Sequence, residues 1–323
     1  MHRFDNVGVI TPTYELAYFL TFNRGFTMPS MQAMQQYVLP NALSFAEVDG
    51  VVIAQINTEQ AQAEISLQGG QVLSWIPKGA EPVIWMSEEA QPTVGKAMRG
   101  GVPVCWPWFG PHERKADFPA HGFARVADWA CKGSQLLDDG SVSLLLELVC
   151  DGGSKWWPYA TLLQVEFRIG TKLEINLSSR NLSDRAFVIS EALHTYFQIS
   201  DIEQVSVSGL EGVSYHDKVT EAEVQTHAGE IRFASETDRV YVNSPATCVI
   251  HDPGLKRKIV IEKSGSDSTV VWNPWFTKAE RMGDLGAEGW RKMLCVESAN
   301  AFDNVVTVQP QQSHSLSVVY SLL

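Results

Sequence analysis

Short runs of alternating apolar and polar residues follow one another from Ser44 to the C-terminus, and nothing else constrains the fold as tightly. Successive side chains of an extended strand point to opposite faces, so each run reads as a strand with one buried face. Ala63–Leu67 and Gln71–Ile76 flank Gly69-Gly70, a hairpin signal. Ser141–Val149 ends at Asp151-Gly152-Gly153, and Thr161–Ile169 and Lys172–Leu177 flank Gly170-Thr171. Further runs are Phe187–Ala192, Gln204–Val207, Thr247–His251, Lys258–Glu262, Thr269–Trp272, Met293–Val296, Val305–Val308 and Ser315–Tyr320. Helical candidates are few, Ser30–Val38 and Thr277–Gly283. Without alternation of strand and helix, a doubly wound sheet or an α/β barrel is disfavoured. The expected fold is all-β, one large antiparallel domain over residues 28–323, with residues 1–27 as an N-terminal extension.

A chain of 323 residues with 45% hydrophobic and 19% charged residues can bury a sizeable core. Its formal net charge of −12 argues against nucleic acid or an anionic membrane as the main partner. A few arginines can still build a local site for a small anion. No apolar run approaches the ~20 residues of a membrane helix. The apolar stretch Leu16–Phe22 follows Glu15, ends at Asn23-Arg24 and has no small-residue cleavage site, so a signal peptide is not indicated. Five scattered cysteines, Cys105, Cys131, Cys150, Cys248 and Cys295, form no C-x-x-C pair. They suggest neither a zinc cage nor a disulfide framework, and a reducing, cytoplasmic setting fits.

The densest non-strand segment is Met98–Trp129, with Gly100, Gly101, Pro103 and Pro107 at its start. It also carries Arg99, Arg114, Arg125, His112 and His121 among tryptophans. Ordering so long a loop is unfavourable unless it builds something, so a site is the favoured reading over a capping crossover. Two titratable residues interrupt apolar text elsewhere: His194 at a strand end, and Glu297 ending the strand before Ser298. Glu191 rivals His194, but their odd spacing puts the two on opposite faces of a strand.

The stretch Arg99-Gly100-Gly101-Val102-Pro103 to Gly110, with His121-Gly122-Phe123-Ala124-Arg125, resembles the signature of the aldose 1-epimerase superfamily. Leu193-His194-Thr195-Tyr196-Phe197 and Cys295-Val296-Glu297-Ser298 extend the resemblance, which is closest to the glucose-6-phosphate 1-epimerase branch and covers Ser44 to the C-terminus. It implies a large antiparallel β-supersandwich and interconversion of the α and β anomers of a sugar through its open chain. By the same resemblance, His194 is the general acid on the ring oxygen and Glu297 the general base on the C1 hydroxyl. Arg99 and Arg125 hold the substrate with its phosphate, Asp238 binds sugar hydroxyls, and His121 assists. Some relatives carry Gln where this chain has Ala120, and Gln71 is the candidate replacement.

The residue types suit that chemistry. Histidine titrates near neutrality and can donate a proton, while a carboxylate can accept one. Guanidinium forks match phosphate in bidentate fashion. The reaction needs no metal and no cofactor, and no phosphate-binding loop of the nucleotide type is present. The expected partner is a small sugar phosphate, and a monomer suffices. Three other readings stay open: an epimerase of free hexoses, a glycosidase pairing Glu297 with Asp238, and a carbohydrate-binding protein without activity.

Overall fold

The computed structural model describes residues 31–323, and the extension read over residues 1–27 lies outside them. A nine-stranded sheet runs in the order Ile231–Arg232, Ser206–Ser208, Cys248–Asp252, Arg257–Ser264, Ser313–Leu322, Leu173–Asn181, Ala160–Ile169, Val142–Asp151, Ala130–Leu136. An eight-stranded sheet runs Ala222–Gln225, Tyr215–Asp217, Thr237–Tyr241, Ser268–Asn273, Met293–Asn300, Glu191–Leu193, Val104–Cys105. Tyr196–Gln198 also pairs with Met293–Asn300. Four strands between Leu43 and Pro77 form an antiparallel meander.

Period-two burial explains these strands. Val142–Asp151 buries Val142, Leu144, Leu146 and Leu148 on one face, and Ala160–Ile169 answers with Leu163, Val165, Phe167 and Ile169. The two large sheets meet through such faces, with Phe197 edge-on to Tyr320 at 5.2 Å and Thr195 Oγ1 2.6 Å from Tyr320 Oη. Under the same face, Glu191 pairs with His314 at 2.9 Å and accepts from the Asn300 amide at 3.1 Å.

Most expected strands are present within a residue or two, and the differences have physical causes. Phe187–Ala192 divides into Phe187–Ile189 and Glu191–Leu193, because the Ser190 N–H bonds to Pro107 O and its hydroxyl receives the Phe109 N–H. The strand read as Met293–Val296 continues to Asn300, so Glu297 is interior to it rather than at its end. All eight of its residues are buried, which removes the alternation that marks a strand end. Thr277–Gly283 proves to be the shorter helix Trp275–Ala279, started by the Trp275 N–H on Asn273 Oδ1. Ser30–Val38 becomes the helical turn Met31–Met34 followed by the 3₁₀ turn Gln35–Tyr37.

Met98–Trp129 threads past the end of the eight-stranded sheet. Val104–Cys105 adds to Glu191–Leu193, and the chain then passes the cis peptide Trp106-Pro107. The segment doubles back so tightly that a Cβ on Gly122, at φ +70°, would lie 1.9 Å from Trp106 O. Glycine is required there.

Candidate active site

Strand register brings the two titratable residues together. Glu191 faces Asn300, Ala192 faces Ala299, Leu193 faces Ser298 and Tyr196 faces Cys295. The same register carries His194 opposite Glu297, on the face away from Glu191. His194 Nε2 lies 3.3 Å from Glu297 Oε1. The ladder is open at this point: the His194 N–H bonds to Pro103 O at 3.0 Å and the Tyr196 N–H to Gly101 O at 2.9 Å. The Arg99–Pro103 stretch is thereby stitched to the strand that carries the histidine.

One cross-strand row underlies the pair. Asp238 faces Trp272, Trp272 faces Cys295 and Cys295 faces Tyr196. The Tyr196 ring stacks on His194, with centroids 4.9 Å apart and planes 14° from parallel. Trp272 stands edge-on to both rings at 6.0 Å. The His121 ring is edge-on to His194 at 5.5 Å. Its backbone adopts φ +61°, a left-handed conformation uncommon outside glycine and asparagine. The His121 N–H holds Gly110 O at 2.7 Å, and its Nδ1 accepts the Gly110 N–H.

Burial controls the electrostatics. Glu297 is pushed well above the usual carboxylate range, first by desolvation and then by Asp238, with Lys218 opposing. His194 is held well below its ordinary value by burial, then by His121, Arg99 and Arg125. His121 drops to about 3, again chiefly through burial. The pair therefore carries one proton between ring and carboxyl over a wide pH range, and it is net neutral. Glu297 Oε2 and His194 Nδ1 are buried without a hydrogen-bond partner among the described residues. Leaving such atoms unpaired is unfavourable, and a ligand hydroxyl that met either one would relieve it.

Cations ring the pair. Arg99 donates from Nη1 to Tyr196 Oη at 2.9 Å, and from Nε and Nη2 to Asp284 Oδ2 at 3.2 and 3.1 Å. Burial opposes its charge, yet Tyr196 and Asp284 more than restore it. Lys218 pairs with Asp238 at 3.1 Å and lies over the Phe109 ring. Arg125, in the 3₁₀ turn Ala124–Val126, donates to Ala120 O at 2.7 Å and makes no ion pair among the described residues. Gln71 is buried beneath the loop, its amide donating to Gly100 O at 2.7 Å. That bond orients the Arg99–Gly101 backbone.

The fold thus gathers His194, Glu297, His121, Asp238, Arg99 and Arg125 around one point and sets Gln71 behind it. Sequence reasoning missed Lys218, Tyr196, Trp272 and Asp284. Tyr196 was within reach, because it stands two residues from His194 and so shares its face. Lys218 and Asp284 lie in ordinary polar stretches and carry no such signal. Cys295 also approaches: donor atoms of His194, Cys295 and Glu297 lie within 4.8 Å of one another, close enough to share a metal ion. Burial and then Glu297 push the Cys295 thiol well above its ordinary value, so it is not the thiolate a metal prefers.

Comparison with known proteins bears on the family and the fold. The family model for aldose 1-epimerase matches residues 52–321. A protein of Escherichia coli K12 named "Putative glucose-6-phosphate 1-epimerase" is 39% identical over 84% of this chain and 91% of its own. A Salmonella typhimurium relative of the same name is 37% identical over 90% and 94%. A crystal structure described as a "putative mutarotase" from Salmonella typhimurium superposes with a TM-score of 0.83 at 36% identity, covering 88% of this chain and 95% of that one. A galactose mutarotase-like protein from Clostridium acetobutylicum, 14% identical, shares the fold with a TM-score of 0.68. With a model match across nearly all of the described residues and relatives this similar, the chain belongs to the aldose 1-epimerase family.

Proposed function

We propose that this protein is an isomerase that interconverts the α and β anomers of hexose 6-phosphates. The observation that carries the reading is the buried contact of His194 Nε2 with Glu297 Oε1 at 3.3 Å, at the base of a site ringed by cations. Ring opening delivers one proton to the ring oxygen, removes one from the C1 hydroxyl and breaks the bond between C1 and the ring oxygen. Rotation about C1–C2 then presents the other face of the aldehyde, and reclosure runs the same transfers backwards. One shared proton in a net-neutral pair meets that requirement, because each half-reaction consumes and returns it. His194 supplies the proton to the ring oxygen, and Glu297 takes the one from the C1 hydroxyl.

Tyr196 and Trp272 are buried against the His194 ring and hold it in place. Asp238 and His121 are placed to accept and donate hydrogen bonds to ring hydroxyls. Arg125 and Arg99 supply the charge that a phosphate needs, and the names of the E. coli and Salmonella relatives favour the phosphorylated substrate over a free hexose. Gln71 acts through the loop it braces. The reading assigns no step to a metal or cofactor. Residues 28–323 act as one domain, and the five cysteines, free and mostly buried, suit a reducing cytoplasm. A monomer contains every group invoked.

Exchange spectroscopy between the anomers of glucose 6-phosphate, with glucose as the comparison, tests this directly. The expected result is exchange far above the spontaneous rate, and faster for the phosphorylated sugar at equal concentration. Equal rates on both sugars would remove the phosphate from the assignment. No exchange on either would leave a binding protein.

A further inference from the structure

Arg99 is already engaged by a carboxylate. Its Nε and Nη2 both donate to Asp284 Oδ2, at 3.2 and 3.1 Å, while Nη1 is spent on Tyr196. The Nε/Nη2 edge is the one a phosphate grips in bidentate fashion. Asp284 lies 185 residues along the chain from Arg99, and more than half of its side chain is exposed. The carboxylate side of this half-buried pair is open to water, which weakens it relative to a fully buried pair. The backbone around it is nevertheless fixed: Leu285 is buried, and its N–H bonds to Met282 O. A swing of the Asp284 side chain alone would free the arginine.

We propose that Asp284 is a competing latch, whose carboxylate occupies the phosphate-binding edge of Arg99 in the empty site and yields it to a phosphate group but not to a neutral sugar. The inference rests on the phosphorylated substrate proposed above. A phosphate monoester carries up to two negative charges near neutrality, with three acceptor oxygens, and so outcompetes a single carboxylate. A free C6 hydroxyl brings no charge and leaves the latch in place. The guanidinium also touches Tyr196, which stacks on His194, so release of Asp284 is felt by the ring packed against the acid. The exchange moves no proton and breaks no covalent bond, and Asp284 acts through Arg99 rather than on the reacting atoms.

Asp284→Asn keeps the shape and removes the charge. The ratio of the KM for glucose 6-phosphate to that for glucose should fall by about two- to fivefold, the worth of an ion pair open to water on its carboxylate side. The inhibition constant of inorganic phosphate should fall with it. Both changes should vanish in an Arg99→Ala background, which a merely structural Asp284 would not require. If Asp284→Asn instead raises the ratio, the carboxylate positions Arg99 for the substrate and the latch is overturned while the substrate reading stands. If the wild type does not distinguish glucose 6-phosphate from glucose and phosphate inhibits neither protein, the substrate reading fails first and takes the latch with it.

Discussion

Glu297→Gln preserves the outline of the side chain and removes its basicity, so it isolates proton transfer from packing. The expected loss in kcat is about two to four orders of magnitude, with a much smaller change in KM. His194→Ala should lose a similar amount, and the double variant should lose far less than the product of the two, since both groups handle one proton. Anomer-exchange rates corrected for spontaneous mutarotation are the measurement. The pH profile follows from the two displaced groups. A second proton disables the pair by charging His194, which burial and neighbouring cations hold well below 6.5, so the acid limb should lie below histidine's ordinary range. Losing the last proton disables it too, and burial with Asp238 holds Glu297 well above 4.5, so the alkaline limb is displaced upward. Asp238→Asn removes the second of those causes and frees Lys218, and the alkaline limb of kcat/KM should move to lower pH. A limb that stays in place would mean Asp238 does not act on Glu297.

At the level of strands and loops, the eight-stranded sheet sets a glutamate against a histidine on each face, the second histidine coming from the nine-stranded sheet. His194–Glu297 faces the site, and His314–Glu191 lies between the sheets. His314 is raised above its ordinary value, first by its hydrogen bond to Glu191. A raised folded value means the stabilisation is complete below about pH 6.5 and fades as the pH rises through the raised value. His314→Gln should destabilise the protein by about 3 kcal/mol at pH 6, because it strands a buried carboxylate. The gap in Tm from wild type should narrow towards pH 9. A gap independent of pH would show that the ring merely packs. The sequence allowed this two-faced arrangement to be anticipated in part, because the odd spacing of Glu191 and His194 separates their faces. It could not provide the partners. Glu297 is far along the chain in a strand buried on both faces, where apolar text hides the register. Lys218 and Asp284 reach the site from turns that look like any solvated surface. The Met98–Trp129 segment was legible as a site because glycines, prolines, arginines and tryptophans rarely share one loop without a reason.

Across the molecule, an acidic protein with a net charge of −12 would take an anionic substrate. Charges more than about 10 Å from the phosphate are largely screened at moderate salt, so the nearby arginines outweigh the distant carboxylates. Arg125→Ala should therefore raise the KM for glucose 6-phosphate several-fold more than that for glucose. It should also flatten the dependence of the phosphorylated sugar's KM on added salt. A salt response equal to that of wild type would place the relevant charge elsewhere, with Lys218 the next residue to test.

The shared register of Glu191–Leu193, Tyr196–Gln198 and Met293–Asn300 has a consequence for how such a chain can change over time. An insertion or deletion of one residue in these segments would exchange the faces of everything beyond it. Thr195 or Leu193 would enter the site, His194 would turn into the core, and the buried pair with His314 would break in the same event. Hinge loops elsewhere can lengthen freely, since they carry neither pair. Variation in length within the lineage should accordingly collect in the turns around residues 152–154 and 226–230, and these three segments should hold their length even where their side chains differ.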